Sequence, residues 1–260
     1  MNYSTILCRK ENGIFFLSLN RPQTYNALTI ELLTEIALAL KTAENDKEIG
    51  VIVLSGEGKG FCSGQDLSII NELKNITATE IIEQYYTPVI TGIVRCKKPV
   101  LCKLTGKAAG AGFALAMSCD IIIASEDSLL VPGFNQIGLM PDSGITYFLL
   151  QIVGPKLTFE ILGLGNHITS SQALDIKLIN KVVPEPEINN TILSIAKYLM
   201  NQSGKNLSML KSLIADGATK SLEEILKMEA KAQDQAIKHE DFHEGVSAFL
   251  EKRKPEFKRI

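Results

Sequence analysis

The sequence predicts an α/β fold with a helical C-terminal region. Three observations carry this. Short, wholly apolar runs of strand length recur through the first two thirds of the chain. Segments with apolar residues three and four apart lie between them. The strand signal then ends near residue 188, and only helical patterns follow.

Taken in order, residues 14–19 (IFFLSL) read as a buried strand, broken by Asn20-Arg21-Pro22 because proline offers no N–H and forces its predecessor to be extended. Residues 29–42 are an amphipathic helix with Thr29 as N-cap and Glu31 in the first turn. Residues 51–54 (VIVL) form a strand covered on both faces. Strands at 100–104 and 121–124 flank a helix at 110–119. Helices follow at 145–153 and 171–178, then a short strand at 181–183. Beyond it, residues 192–200, 207–216 and 221–239 are helical, the last opened by Ser221 with Glu224 at capping-box spacing. The tail from 244 is helix-like and then basic. The expected division is a core of residues 1–195 and a helical region of residues 196–260, with a soft boundary near 188–200.

A chain of 260 residues with 45% hydrophobic and 22% charged residues can bury a sizeable core and is not of disordered composition. The net charge of −2 gives no reason to expect a nucleic-acid partner. No segment approaches the roughly 20 uncharged apolar residues of a membrane span, so no membrane partner is expected. The polar first twelve residues lack a signal peptide's pattern, and the expectation is a cytoplasmic protein. Cys8, Cys62, Cys96, Cys102 and Cys119 are odd in number and show no CxxC spacing; reduced, mostly buried thiols are expected, with no metal site.

Three segments can carry chemistry. Residues 58–67 (GKGFCSGQDL) follow a strand, and their glycine-dense backbone can bring N–H groups close to a ligand; a tight strand-to-helix turn accounts for the same residues. Residues 106–117 (GKAAGAGFALAM) join a strand to a helix through small residues. The first N–H groups of that helix lack internal partners and suit a developing negative oxygen, although close packing alone would also select small side chains. In residues 138–144 (GLMPDSG), Asp142 is a candidate acid/base or simply a turn former.

In this order the segments resemble the crotonase (enoyl-CoA hydratase/isomerase) family. The likeness extends through NRP…NAL at 20–28, FCSGQDL at 61–67, KPV…GKAAGAG…CD at 98–120, SQAL…LINKVV at 171–183 and EGVSAFLEKRKP at 244–255. The resemblance implies a spiral of ββα units whose helical C-terminal region builds a homotrimer or a hexamer of two trimers. It implies an acyl-CoA substrate, whose coenzyme A is part of the substrate, and no separate cofactor. It also implies an oxyanion hole made by the backbone N–H groups of Gln65 and Ala111. Such donors are worth about 3 to 4 kcal/mol each when aimed at a thioester oxygen that becomes negative. Around the substrate the resemblance places Asn26, Ala27, Leu28, Ser63, Gly64, Asp66, Leu67, Gly110, Phe134 and, from the basic tail, Lys252, with Arg253 beside it. Asp66 reads as a residue that holds the loop by its carboxylate.

The chain departs from the family's hydratases at both glutamates that handle water. Ala114 stands at one position and Phe134 at the counterpart of the other, and neither can transfer a proton. GQDL with PDSG is closest to members that rearrange epoxyphenylacetyl-CoA or shift enoyl-CoA double bonds, which points to Asp142 as the acid/base. One carboxylate suits isomerisation, since it can take a proton from one carbon and return it to another. Apolar walls from Phe134, Ile137, Leu139 and Met140 would raise its pKa from about 3.9. A hydratase that uses Asp142 on water, and a non-catalytic acyl-CoA-binding protein, remain open at this point. The variable stretch 69–91, with Tyr85 and Tyr86, is expected to shape the acyl pocket. Lys103 and Lys107 depart from the family pattern without an evident reason.

Overall fold

The structure is a computed structural model that describes residues 3–69 and 76–257. The chain opens with an antiparallel hairpin, β1 (Ile6–Glu11) and β2 (Ile14–Leu19), followed by α1 (Ile30–Asn45) and β3 (Val51–Gly56). Thr29 caps α1 by accepting a hydrogen bond from the Leu32 N–H, and Leu32, Leu33, Ile36, Ala39 and Leu40 form the buried stripe. Next come α2 (Ala78–Ile81), a π-helical turn (Ile82–Tyr86) and α3 (Thr87–Val94).

Two strand–strand–helix units follow. The first is β4 (Val100–Leu104), β5 (Lys107–Ala109) and α4 (Ala111–Met117); the second is β6 (Ile121–Ser125), β7 (Leu129–Val131) and α5 (Ile145–Leu164). In each, one strand joins the large sheet and the next joins a small one, which gives the spiral. The remaining elements are β8 (Ile168–Thr169), α6 (Ser170–Asp175), β9 (Lys181–Val183), α7 (Glu185–Met200), α8 (Gly204–Gly217), α9 (Leu222–Ile237) and α10 (Glu240–Leu250).

The large sheet has the order β1-β2-β3-β4-β6-β9, parallel except for β1, and the small one the order β5-β7-β8. All six residues of β3 are buried, because α1 covers one face of the sheet and α7 the other. The 195/196 division runs through α7, whose Ile188, Ile192 and Ala196 pack on Val51, Val53 and Leu101 of the sheet. α5 extends well past the expected residue 153. Gly154, at φ 72° and ψ 175°, breaks it ahead of Pro155. By length and apolarity α5 would pass for a membrane-crossing helix, but the break at Gly154 and the charges of Lys156 and Glu160 interrupt it.

All five cysteines are free thiols; Cys62, Cys96 and Cys102 are buried and Cys8 is exposed. After α10 the chain turns back. Arg253 holds Glu244 through two hydrogen bonds of 2.6 and 2.9 Å, and Phe257 lies against Gly245.

Candidate active site

The glycine-bearing loop after β3 is fixed from two sides. On one side, the Leu28 N–H donates to the Gly64 carbonyl at 2.7 Å and the Asp66 N–H to the Leu28 carbonyl at 2.9 Å. On the other, the Cys62 N–H donates to the Lys107 carbonyl and the Ala109 N–H to the Cys62 carbonyl. The first pair bridges Leu28 to Gln65 in parallel fashion. In such a bridge the enclosed residue's own N–H points to the opposite side. The Gln65 N–H therefore faces away from Leu28, toward β5 and α4, and it has no acceptor among the described residues.

Ala111 is the first residue of α4. Its N–H likewise has no acceptor among the described residues, while Gly110 directs its own N–H to Val131. Gly110 adopts φ 51° and ψ −121°, a conformation open only to glycine, and this sets the plane of the peptide carrying the Ala111 N–H. The two walls touch. A Cβ on Gly64, itself at φ 88°, would meet the Ala109 carbonyl oxygen at 2.8 Å and the Ala111 nitrogen at 3.6 Å.

Gln65 and Ala111 line one cavity of about 180 Å³, together with Ser63, Gly64, Leu67, Ala109, Gly110, Gly133, Phe134, Ile137, Leu139 and Asp142. Larger surface grooves occur elsewhere, but none holds this pair of vacant N–H groups, which makes the smaller cavity the candidate site. Among the described residues, Asp142 is the one titratable group in that lining. Burial pushes its carboxyl above the ordinary range, and a hydrogen bond of 2.9 Å from the Ser143 hydroxyl opposes the shift. The turn is strained: Ser143 (φ 52°) and Gly144 (φ 80°) are both left-handed, and the Ile145 N–H closes it onto the Asp142 carbonyl.

The other expected site residues separate into two groups. Ser63, Gly64, Leu67, Gly110 and Phe134 line the cavity. Asn26, Ala27 and Leu28 are buried behind it. The Asn26 amide donates to the Glu57, Gly60 and Phe61 carbonyls and accepts from the Arg21 N–H, so it knits the 20s turn to the loop. The Asp66 carboxylate lies beneath the loop. The Ser68 hydroxyl and the Arg21 guanidinium at 2.9 Å hold it below the usual carboxylate range. Lys252 is exposed on the tail, outside the cavity lining, and Arg253 is engaged by Glu244 and Glu251.

Met140 departs from expectation. It is 81% exposed and is not part of the cavity wall. Gly138, at φ 71°, turns the chain outward just before it. Ala109 and Gly133 are wall residues that sequence reasoning missed, and Arg21 is the unforeseen partner of Asp66. The one signal for Arg21 was a positive charge in the NRP turn facing a loop with a carboxylate to satisfy. Ala114 and Phe134 are both buried, and neither side chain carries a carboxylate. Residues 70–75 of the expected acyl-pocket stretch lie outside the described residues.

A spiral of ββα units that brings two vacant main-chain N–H groups and one carboxylate to a single cavity defines an enzyme of the crotonase fold. The chain belongs to the enoyl-CoA hydratase/isomerase family, whose model matches residues 9–259. It is 36% identical to the 1,2-epoxyphenylacetyl-CoA isomerase of Escherichia coli, over 97% of each chain. It is also 32% identical to the mitochondrial enoyl-CoA hydratase of Pongo abelii, over 96% of this chain and 85% of that one. The crystal structure of an enoyl-CoA hydratase from a Polaromonas species superposes with a TM-score of 0.91 at 31% identity, covering 97% of this chain and 99% of that one. An acyl-CoA thioester is accordingly the class of substrate.

Proposed function

We propose that this protein is an acyl-CoA isomerase in which Asp142 moves a proton between two carbons of the acyl chain. One observation carries the reading: among the described residues, Asp142 is the single titratable group in the lining of a cavity whose other chemical feature is a pair of vacant N–H groups. The carboxylate takes a proton from the α-carbon of a 3-enoyl thioester. The electron pair moves into the carbonyl, and the Gln65 and Ala111 N–H groups hold the enolate oxygen. The same group, now protonated, returns the proton to the γ-carbon, and the double bond ends between the α- and β-carbons. Burial makes Asp142 a better base than an exposed aspartate, which serves proton removal from carbon. Similarity to an isomerase that acts on an epoxyphenylacetyl thioester supports the same reading.

The test is to supply 3-enoyl-, 2-enoyl- and epoxyphenylacetyl-CoA separately. Conversion of the 3-enoyl or epoxy thioester, lost in Asp142→Asn with acyl-CoA binding retained, supports the isomerase. Water addition to the 2-enoyl thioester alone would make the protein a hydratase instead. Tight binding of every thioester with no turnover, unchanged in Asp142→Asn, would make it a binding protein.

The C-terminal helices leave Leu210, Ile214, Leu222, Leu226, Phe249 and Leu250 exposed, which fits a self-association surface. A homotrimer or a dimer of trimers is the proposed assembly, checked by light scattering on the purified protein.

A further inference from the structure

The face of the large sheet that α7 covers is apolar at Val51, Val53 and Leu101. Two residues further along the strands the same face turns polar, since side chains two apart point the same way. Ser18, Ser55 and Lys103 stand in one row across β2, β3 and β4, each opposite the next in the parallel register. They lie near the carboxyl ends of their strands, the end at which open α/β sheets bind ligands. Over this row lies a groove of about 510 Å³, with Asn189 and Leu193 of α7 on one side and Leu7 and Phe16 of the hairpin on the other.

The polar groups of the groove do not satisfy one another. The Ser18 and Ser55 hydroxyls share one hydrogen bond of 2.8 Å, so one O–H proton keeps no acceptor among the described residues. The Lys103 ammonium has a single acceptor among them, Asn189 Oδ1 at 3.0 Å, and no carboxylate. Glu57 follows β3 directly and lies in the same lining, and its carboxylate has no donor among the described residues. Arg9 and Glu11 neutralise each other, with the Arg9 guanidinium 4.3 Å from the centre of the Phe16 ring. Among the described residues, the groove therefore presents one uncompensated cation and one uncompensated anion that do not meet.

We propose that this groove is a second binding site, for a small zwitterion of the α-amino-acid type with an apolar side chain. The Lys103 ammonium and the free serine proton hold the carboxylate, and the Glu57 carboxylate holds the ammonium. The aliphatic chain lies along Leu7, Phe16 and Leu193. A ligand with both charges fills the gap between Lys103 and Glu57. A simple anion meets Glu57, and a simple amine meets Lys103, as a like charge. None of these residues lines the acyl cavity, so the inference stands apart from the isomerase reading.

The experiment is calorimetry on the natural protein with leucine, with 4-methylpentanoate, which lacks the ammonium, and with 3-methylbutylamine, which lacks the carboxylate. Leucine should bind saturably, and each single-charge analogue about tenfold more weakly or worse, because a charged partner is left unmatched. Glycine, without the aliphatic chain, should also bind more weakly than leucine. Lys103→Met and Glu57→Gln should each weaken leucine by about tenfold, with thermal unfolding confirming that the variants are folded. No binding of leucine, equal affinity for glycine or for either single-charge analogue, or unaltered leucine affinity in either folded variant would overturn the proposal. The analogue comparison needs only the natural protein, so it decides the matter even where a variant fails to fold.

Discussion

Arg21 and Asp66 meet at 2.9 Å beneath the loop that presents the Gln65 N–H, both largely buried. The Arg21 guanidinium also donates to the Ala27 carbonyl, so one side chain ties the 20s turn to the loop. Asp66 directly follows Gln65, so its anchoring restrains the loop that carries the Gln65 N–H.

Removing Arg21 leaves Asp66 charged, buried and short of a partner. Arg21→Met should destabilise the fold by about 3 kcal/mol, read as a lower urea midpoint. It should also lower kcat with smaller change in KM, because the lost alignment matters most when charge develops on the thioester oxygen. An unchanged kcat would separate this pair from the chemistry.

Asp142 predicts a pH dependence. Its folded-state pKa is raised by burial, so the base is lost as pH falls through a value above the ordinary carboxylate range of about 4. The kcat/KM of the isomerisation should fall on that acid limb and level off above it. The stability sign is opposite. The folded state binds the proton more tightly than the unfolded chain, so this group's contribution favours folding at low pH and is lost as pH rises through the raised pKa. Asp142→Asn should remove that contribution along with turnover. A kcat/KM flat down to the ordinary carboxylate range would exclude Asp142 as the base.

Gly64 is the point where the two walls touch. Gly64→Ala places a methyl 2.8 Å from the Ala109 carbonyl oxygen and forces alanine to φ 88°. Backbone atoms line the contact, so relief requires moving the loop or β5. Turnover should drop by about a hundredfold or more, the loss of one oxyanion donor, together with about 1 to 3 kcal/mol of stability. Steady-state kinetics alongside thermal unfolding separates the two effects. Near-normal kcat in a folded variant would show that the walls need not touch.

The elements most legible in the sequence were those with strong local chemistry. Thr29 announced the start of α1, and the apolar runs at 100–104 and 181–183 matched β4 and β9 end to end. β1 was not foreseen because it is an edge strand whose last five residues are exposed, so no apolar alternation marks it. β5, β7 and β8 are two or three residues long and carry no period. The Gly154-Pro155 break hid the second half of α5. In the site, family likeness named Gln65, Ala111 and Asp142. Tyr86 is buried through a π register that no residue pattern encodes, and the Arg21–Asp66 pair arises only when two distant turns are brought together.

Lys211, 8% exposed on α8, donates to Asp120 Oδ2 at 2.6 Å and to the Lys98 carbonyl at 3.1 Å. Lys98, itself 1% exposed, donates to the Ala43 and Asp46 carbonyls at the end of α1. Two buried amines thus link the C-terminal helices to the sheet and to α1. Lys211→Met removes one link and leaves Asp120 with the Val100 N–H as its remaining donor. The expected loss is about 1 to 3 kcal/mol, since Asp120 is partly open to water and can be solvated. Asp120→Asn in the same chain should recover part of that loss, because the unpaired charge is gone. Neither residue lines the cavity, so kcat should stay near that of the natural protein in both variants. A fall in kcat matching the fall in stability at assay temperature would show instead that α8 helps to hold the catalytic walls.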